Sequence, residues 1–260
     1  MADIRAQVAV GQRPAGSERL RELAETLRGI LGSRPGPPDA HFETVPSTGA
    51  QRGLRNIVAT IPGRAPAILI GAHYDTESHP PGFVGANDGA AGTAAVLELA
   101  RTLPDELPDD HREIRLVLFD GEEEPPGCPE QDFQFCGLRG SRAYAGAHPG
   151  EIGDVIVLDY IANRGARFPR EGNSTPELWG ELRAAAEEVG TEGIFPGGIQ
   201  PPVLDDHIPF LEQGIPSIDV IDFSYRYADT IEDTPDKLDP AVLDEVGETV
   251  AQLVINLSGR

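Results

Sequence analysis

The sequence predicts an α/β fold: a single-domain three-layer α/β/α sandwich around a central mixed, mostly parallel sheet. Three observations carry that expectation. Five short runs are apolar and rich in β-branched residues with little polar alternation, the pattern of strands covered on both faces. Helical patterns fall between those runs, so strands alternate with helices. Apolar residues are spread along all 260 positions, enough to bury one large core, so residues 1–260 are expected to form one domain.

Taken in order, Ser17 to Gly32 places Leu20, Leu23, Leu27 and Leu31 at steps of three and four behind a serine able to cap. That predicts an amphipathic helix ended by Gly32. The proline-rich stretch from Pro35 to Asp39 reads as a connection, and an extended segment follows near Phe42 to Val45. Strands are predicted at Asn56 to Ile61, Ala67 to Ala72, Ile114 to Phe119, Val155 to Leu158 and Ser217 to Ile221. Helices are predicted at Gly89 to Arg101, Gly140 to Ala147, Thr175 to Glu188, Ile208 to Gln213 and Pro240 to Leu257. Two long loops interrupt the alternation, Glu124 to Cys136 and Ala162 to Ser174. Both follow apolar strands, and ligand sites in open α/β sheets gather at the carboxyl ends of strands.

Forty-three acidic against twenty-one basic residues give a formal charge of -22, which repels nucleic acid phosphates and anionic membranes. Such a surface is a solvated one, or one that attracts cations and basic peptides. No stretch approaches the roughly 18 apolar residues of a membrane helix, so no membrane-spanning segment is expected. A soluble protein is expected, extracytoplasmic with an export signal removed or otherwise cytoplasmic. Cys128 and Cys136 flank one loop and fit a local disulfide or two buried thiols equally well.

Polar groups stand where the predicted strands stop. Ala67 to Ala72 ends in His73-Tyr74-Asp75, Ile114 to Phe119 in Asp120-Gly121-Glu122-Glu123, and Val155 to Leu158 in Asp159. Gly85-Ala86-Asn87-Asp88-Gly89 precedes a predicted helix, whose N-terminal partial charge favours the Asp88 carboxylate. Singly, each motif has a plainer reading as a turn or a solvated pair of acids. Together, one imidazole and several carboxylates in one crevice are costly to desolvate without a cation, and mixed nitrogen and oxygen donors suit zinc.

Five pieces resemble the zinc aminopeptidases and their relatives the glutaminyl-peptide cyclotransferases: Gly71-Ala72-His73-Tyr74-Asp75, Gly85-Ala86-Asn87-Asp88-Gly89, Phe119-Asp120-Gly121-Glu122-Glu123, Gly140-Ser141-Arg142 and Asp206-His207-Ile208-Pro209-Phe210. The resemblance implies that His73 and Asp159 hold one zinc, Asp88 bridges, and Glu123 holds a second zinc. It implies Glu122 as general base, Asp75 steadying the site from behind, and Asp205, Asp206 and His207 in an acidic network at the pocket wall. A helix cap ahead of Ile208 is the other reading of that trio. The family's last ligand is a His followed by Thr, and Asp229-Thr230 stands there instead. A carboxylate can still bind zinc, but its charge makes the ion a weaker Lewis acid and shifts metal preference toward harder ions, so one or two ions are expected.

The resemblance therefore implies hydrolysis of the N-terminal residue from a peptide or aminoacyl substrate with a free amine. Pyroglutamate formation is one alternative, although Ala228 and Asp229 replace the aromatic residue and His of the cyclotransferases. A non-catalytic peptide-binding relative with a degraded metal site is the other. A serine hydrolase is disfavoured because no Gly-x-Ser-x-Gly elbow occurs.

Overall fold

The computed structural model describes residues 1–33, 40–46 and 52–260, with the Glu130 side chain left aside. The connection expected at Pro35 to Asp39 lies outside the described residues. Six strands form one sheet: β1 (His41–Thr44), β2 (Arg55–Ile61), β3 (Arg64–His73), β4 (Arg112–Phe119), β5 (Ile152–Asp159) and β6 (Ser217–Ile221). Their order is β1-β2-β4-β3-β5-β6. The pairs β4-β3, β3-β5 and β5-β6 are parallel, whereas β1-β2 and β2-β4 are antiparallel. Mixed and mostly parallel is thus the observed arrangement.

The helices are α1 (Ala2–Val10), α2 (Glu18–Leu31), α3 (Ala90–Glu106), α4 (Phe133–Cys136), α5 (Arg139–Ala147), α6 (Pro176–Val189), α7 (Ile208–Leu211) and α8 (Pro240–Ser258). Alternation along the strands divides the core. Ile68, Ile70 and Ala72 of β3 join Leu116, Leu118 and Ile156 against α2, α3, α6 and α8. Ala67 and Leu69 point the other way and join Val117, Phe119 and Val155 against Tyr144 of α5 and Phe210 of α7. Both faces are covered, which is why these strands read as continuous apolar runs.

Four elements differ from expectation. Helix α1 was not foreseen, because its apolar residues form no stripe and only Ile4 and Gln7 are buried. It is tied down by polar contacts instead: Gln7 donates to the Ala90 carbonyl at 3.0 Å, and Asp3 accepts from Arg101 at 2.8 Å. Helix α3 runs past Arg101 to Glu106 with Pro104 inside its last turns, where a proline costs one main-chain hydrogen bond. Helix α7 stops at Leu211, short of Gln213, and the loop from Glu124 to Cys136 folds its end into α4. Cys128 and Cys136 are joined by a disulfide that closes this loop.

Helix α3 lies so close to the sheet that a Cβ on Gly92 would collide with the Leu158 carbonyl oxygen and sit 3.0 Å from the Ala72 Cβ. Strand backbone on one side and a Cβ fixed to its own strand on the other leave nothing flexible to yield. Gly92→Ala is expected to cost about 1–3 kcal/mol of stability by overpacking, measured by urea unfolding. An unchanged midpoint would show that α3 is free to lift away from β5.

Candidate metal centre

The parallel strands leave β3 in opposite directions, β4 to one side and β5 to the other, so a crevice opens at the carboxyl end of β3. His73 is the last residue of β3, and Asp159 is the last of β5. Asp120, Glu122 and Glu123 follow directly on β4. Asp88 is delivered by the turn before α3. The Asp233 carboxylate fixes this turn by accepting from Asn87 N at 3.0 Å and Asp88 N at 3.1 Å. Gly89 closes the turn at a φ of 76°, with the Asp75 carbonyl and the His73 ring so near that no side chain fits there.

His73 Nε2 lies 3.1 Å from Asp88 Oδ1 and 3.4 Å from Asp159 Oδ1. Three ligands on a tetrahedral ion at zinc's usual distances stand about 3.3 Å apart, and both distances from His73 match that spacing. The other ring nitrogen, His73 Nδ1, faces Asp75 Oδ1 at 3.6 Å, just beyond hydrogen-bond distance, on the side where an outer carboxylate orients a metal-binding imidazole. His73, Glu122 and Glu123 also bring one donor atom each within 4.8 Å of one another.

All these groups are buried. Burial alone would lower the His73 imidazole, but hydrogen bonding to Asp159, Asp75 and Asp88 outweighs it and holds the ring well above its ordinary value. Burial pushes Glu122 well up, opposed by His73 and reinforced by Asp205, Asp206 and Asp75. Glu123 is raised by burial, then by Asp88 and Glu122. Burial likewise lifts Asp159 against the pull of His73. Such an assembly of acids accepts protons or a cation.

Protons and cation compete, which gives a prediction. Burial brings Asp120 to about 7 and Asp233 to about 6, both from an ordinary 3.8, so the fold binds these protons more tightly than the unfolded chain does. Their contribution is complete below about pH 4 and is lost as pH rises through 6 to 7. Chelator-treated protein should therefore melt at lower temperature at pH 8 than at pH 5, and zinc should raise the midpoint most at the higher pH. Calorimetry on the two forms checks this; a midpoint that rises with pH in the chelated protein would refute it.

The remaining expected residues lie outside that triangle. Asp229 does not join the His73 triangle. It sits at a φ of 55° and reaches the centre through the Tyr160 hydroxyl, which lies 3.0 Å from Asp229 Oδ1 and 2.9 Å from Asp88 Oδ2. The His207 side chain does not cap α7. It is wholly buried, with Nε2 3.2 Å from Glu171 Oε2, while Asp205, His207 and Asp219 bring donor atoms within 4.8 Å of one another. Burial and Asp205 hold Asp219 well above the usual carboxylate range.

Sequence reasoning passed over Arg13, Glu77, Tyr160, Glu171 and Asp219. Arg13 is fully buried behind the centre, donating to the carbonyls of Tyr74, Val84 and Gly85 at 2.6–3.1 Å. Burial lowers it to about 10 against the pull of Asp88 and Asp75. Glu77 is pushed up to about 8 by burial, Asp229, Glu124 and Asp88. The one sequence signal for Tyr160 was its place directly after Asp159.

A mixed sheet between helix layers with a buried imidazole and carboxylates at its carboxyl edge defines a zinc exopeptidase-like fold. The chain belongs to peptidase family M28, whose model matches residues 56–254 and whose members typically bind zinc. A glutaminyl-peptide cyclotransferase from Gloydius blomhoffii is 29% identical over 245 residues, covering 78% of this chain and 66% of the relative. The chain thus spans just under two thirds of that relative's length. The glutaminyl cyclase of Porphyromonas gingivalis is 28% identical with a TM-score of 0.86, covering 98% of this chain and 96% of that one. A leucine aminopeptidase precursor from Bacteroides thetaiotaomicron has a TM-score of 0.87 at 23% identity, covering 98% and 95%, a likeness of fold.

Proposed function

We propose that this chain is a metal-dependent enzyme acting at the free N-terminus of peptides, and that it releases the N-terminal residue by hydrolysis. The observation that carries the reading is the His73, Asp88 and Asp159 triangle, a nitrogen and oxygen donor set whose chemistry suits zinc, with Glu122 beside it. Bound zinc supplies positive charge that polarises a carbonyl and makes water a better acid. The residues of the chain do the rest. Glu122 takes the proton from the attacking water at its carboxylate and returns it to the leaving amine. Asp205 and Asp206 face Glu122 and keep its carboxylate a willing proton acceptor. Asp75 holds the His73 ring, and the surplus of carboxylates draws in the substrate ammonium.

Cyclisation of N-terminal glutamine is the second reading, and the names of the relatives weigh on its side. It would use the same Glu122 to pass a proton from the attacking amine to departing ammonia. Against it stands Asp229, which takes the place of a His and turns to Tyr160. No described helix is long and apolar enough to cross a membrane, and the disulfide supports a site of action in an oxidising compartment.

One experiment separates the readings. Zinc-loaded protein is incubated with unblocked peptides that begin with glutamine, leucine or alanine, and the products are resolved by mass spectrometry. Hydrolysis yields the free first residue and a shortened peptide; cyclisation yields an intact peptide less ammonia, from glutamine alone. Neither product from any peptide would sink both readings and favour a binding role.

A further inference from the structure

A cleft of about 400 Å³ lies between the loop after β5 and the two ends of the segment 222–237 that follows β6. Arg164, Arg226 and Lys237 all line it, although acids outnumber bases by 43 to 21 along the chain. So acidic a surface has carboxylates to spare, yet two of these cations go without one. Arg226 is exposed and lies over the Tyr227 ring, its Cζ 4.9 Å from the centroid. Arg164, also exposed, reaches the Asp236 carbonyl at 3.4 Å. Among the described residues neither guanidinium pairs with a carboxylate. The acids of the cleft are committed elsewhere. Asp236 pairs with Lys237 at 2.6 Å, and Asp222 accepts from Asn163 Nδ2 at 2.8 Å and Ser224 N at 3.1 Å. Two uncommitted guanidinium forks therefore line a space walled by Tyr225 and Tyr227.

We propose that this cleft binds a phosphate group, free or carried on a peptide, between Arg164 and Arg226. A guanidinium fork matches two phosphate oxygens, and two forks balance the charge such a group carries near neutral pH. The acidic surface elsewhere repels an anion, which leaves this cleft as the place for one to settle. Occupancy would brace the segment 222–237, because residues from both of its ends form the walls and the stretch between them carries Asp229 and Asp233. The Tyr225 hydroxyl donates to Asp233 Oδ1 at 2.8 Å, and Asp233 in turn accepts from the main-chain N–H groups of Asn87 and Asp88. Tyr160, Tyr225 and Tyr227 form a row from the centre to the cleft, with ring centroids 5.9 and 5.7 Å apart. The cleft is thus joined to the metal centre by packed side chains while sharing no ligand with it.

The test is calorimetric titration of the zinc-loaded chain with inorganic phosphate and, separately, with an N-acetylated phosphoserine peptide, each against sodium chloride at matched ionic strength. The expected result is one equivalent bound, with hydrogen exchange slowed within residues 222–237. Arg164→Ala and Arg226→Ala should each weaken binding by about tenfold or more, the loss of a charged hydrogen-bonding partner. Arg183→Ala, which removes an exposed arginine from α6, should leave it unchanged. Both cleft arginines are exposed, so their variants should melt at the wild-type midpoint, which shows that lost binding is not lost folding. Uptake of inorganic phosphate assigns the cleft to the free ion, and uptake of the peptide alone assigns it to a phosphorylated chain. Heat no greater than chloride gives, with both probes, would overturn the proposal. So would binding that survives both substitutions, since that phosphate would sit on the zinc.

Discussion

Glu122→Gln is expected to lower turnover by about 10²–10⁴-fold and to leave the bound zinc in place. The substitution keeps the shape and removes the proton acceptor. Glu122 is buried, its main-chain N–H donates to Asp75 Oδ1 at 3.3 Å, and its carboxylate lies in one cluster with His73 and Glu123. It is therefore placed rigidly, as a proton shuttle has to be. Hydrolysis and cyclisation both move a proton from nucleophile to leaving group, so the loss should appear whichever product the wild type gives. Its place apart from the zinc triangle predicts the split between the two measurements: rate falls, metal content does not. A variant that loses its zinc along with its activity would mark Glu122 as a ligand and transfer the base to another residue.

The centre was legible in the sequence wherever an apolar run stopped at a polar residue. His73 and Asp159 end strands whose interiors had to be apolar on both faces, so their polarity stood out. Asp88 was visible because Asn-Asp-Gly immediately precedes a helix. Nothing comparable marks Glu171, Asp219 or Arg13. Asp219 is the third residue of β6, and its partner Asp205 comes from a loop fourteen positions earlier; only the folded sheet brings the two together. Arg13 reads as one more surface cation in an acidic chain, and its burial depends on the path of the segment between α1 and α2. Tyr160 is the subtlest case. It holds a φ of 46° directly after a predicted ligand, and its contact with Asp229 spans 69 positions. Periodicity and local motifs cannot report contacts of that range.

Glu171 carries the second large effect. Its wholly buried carboxylate accepts from Asn173 N at 2.8 Å, Ser174 N at 2.7 Å, Ser174 Oγ at 3.0 Å and Val203 N at 2.8 Å, with His207 Nε2 at 3.2 Å. One side chain thus ties the loop after β5 to the segment that carries Asp205, Asp206 and His207. Removing it leaves several buried N–H donors and an imidazole without a partner, so Glu171→Ala is expected to cost about 3–5 kcal/mol in urea unfolding. Burial works against this carboxylate's charge, yet His207 and the main-chain donors hold it down to about 2 from an ordinary 4.5. A group depressed in the fold contributes stability above its unfolded value and loses it as pH falls, here between about 4.5 and 2. Wild-type protein should accordingly show a steep loss of stability over that acid interval. Glu171→Gln, which cannot titrate, should start less stable at neutral pH and lack that step. If the acid limb of Glu171→Gln matches the wild type, other carboxylates carry it and the hub is weaker than its contacts imply. A loss confined to activity, with stability intact, would instead assign Glu171 to placing Asp205 and Asp206 against Glu122.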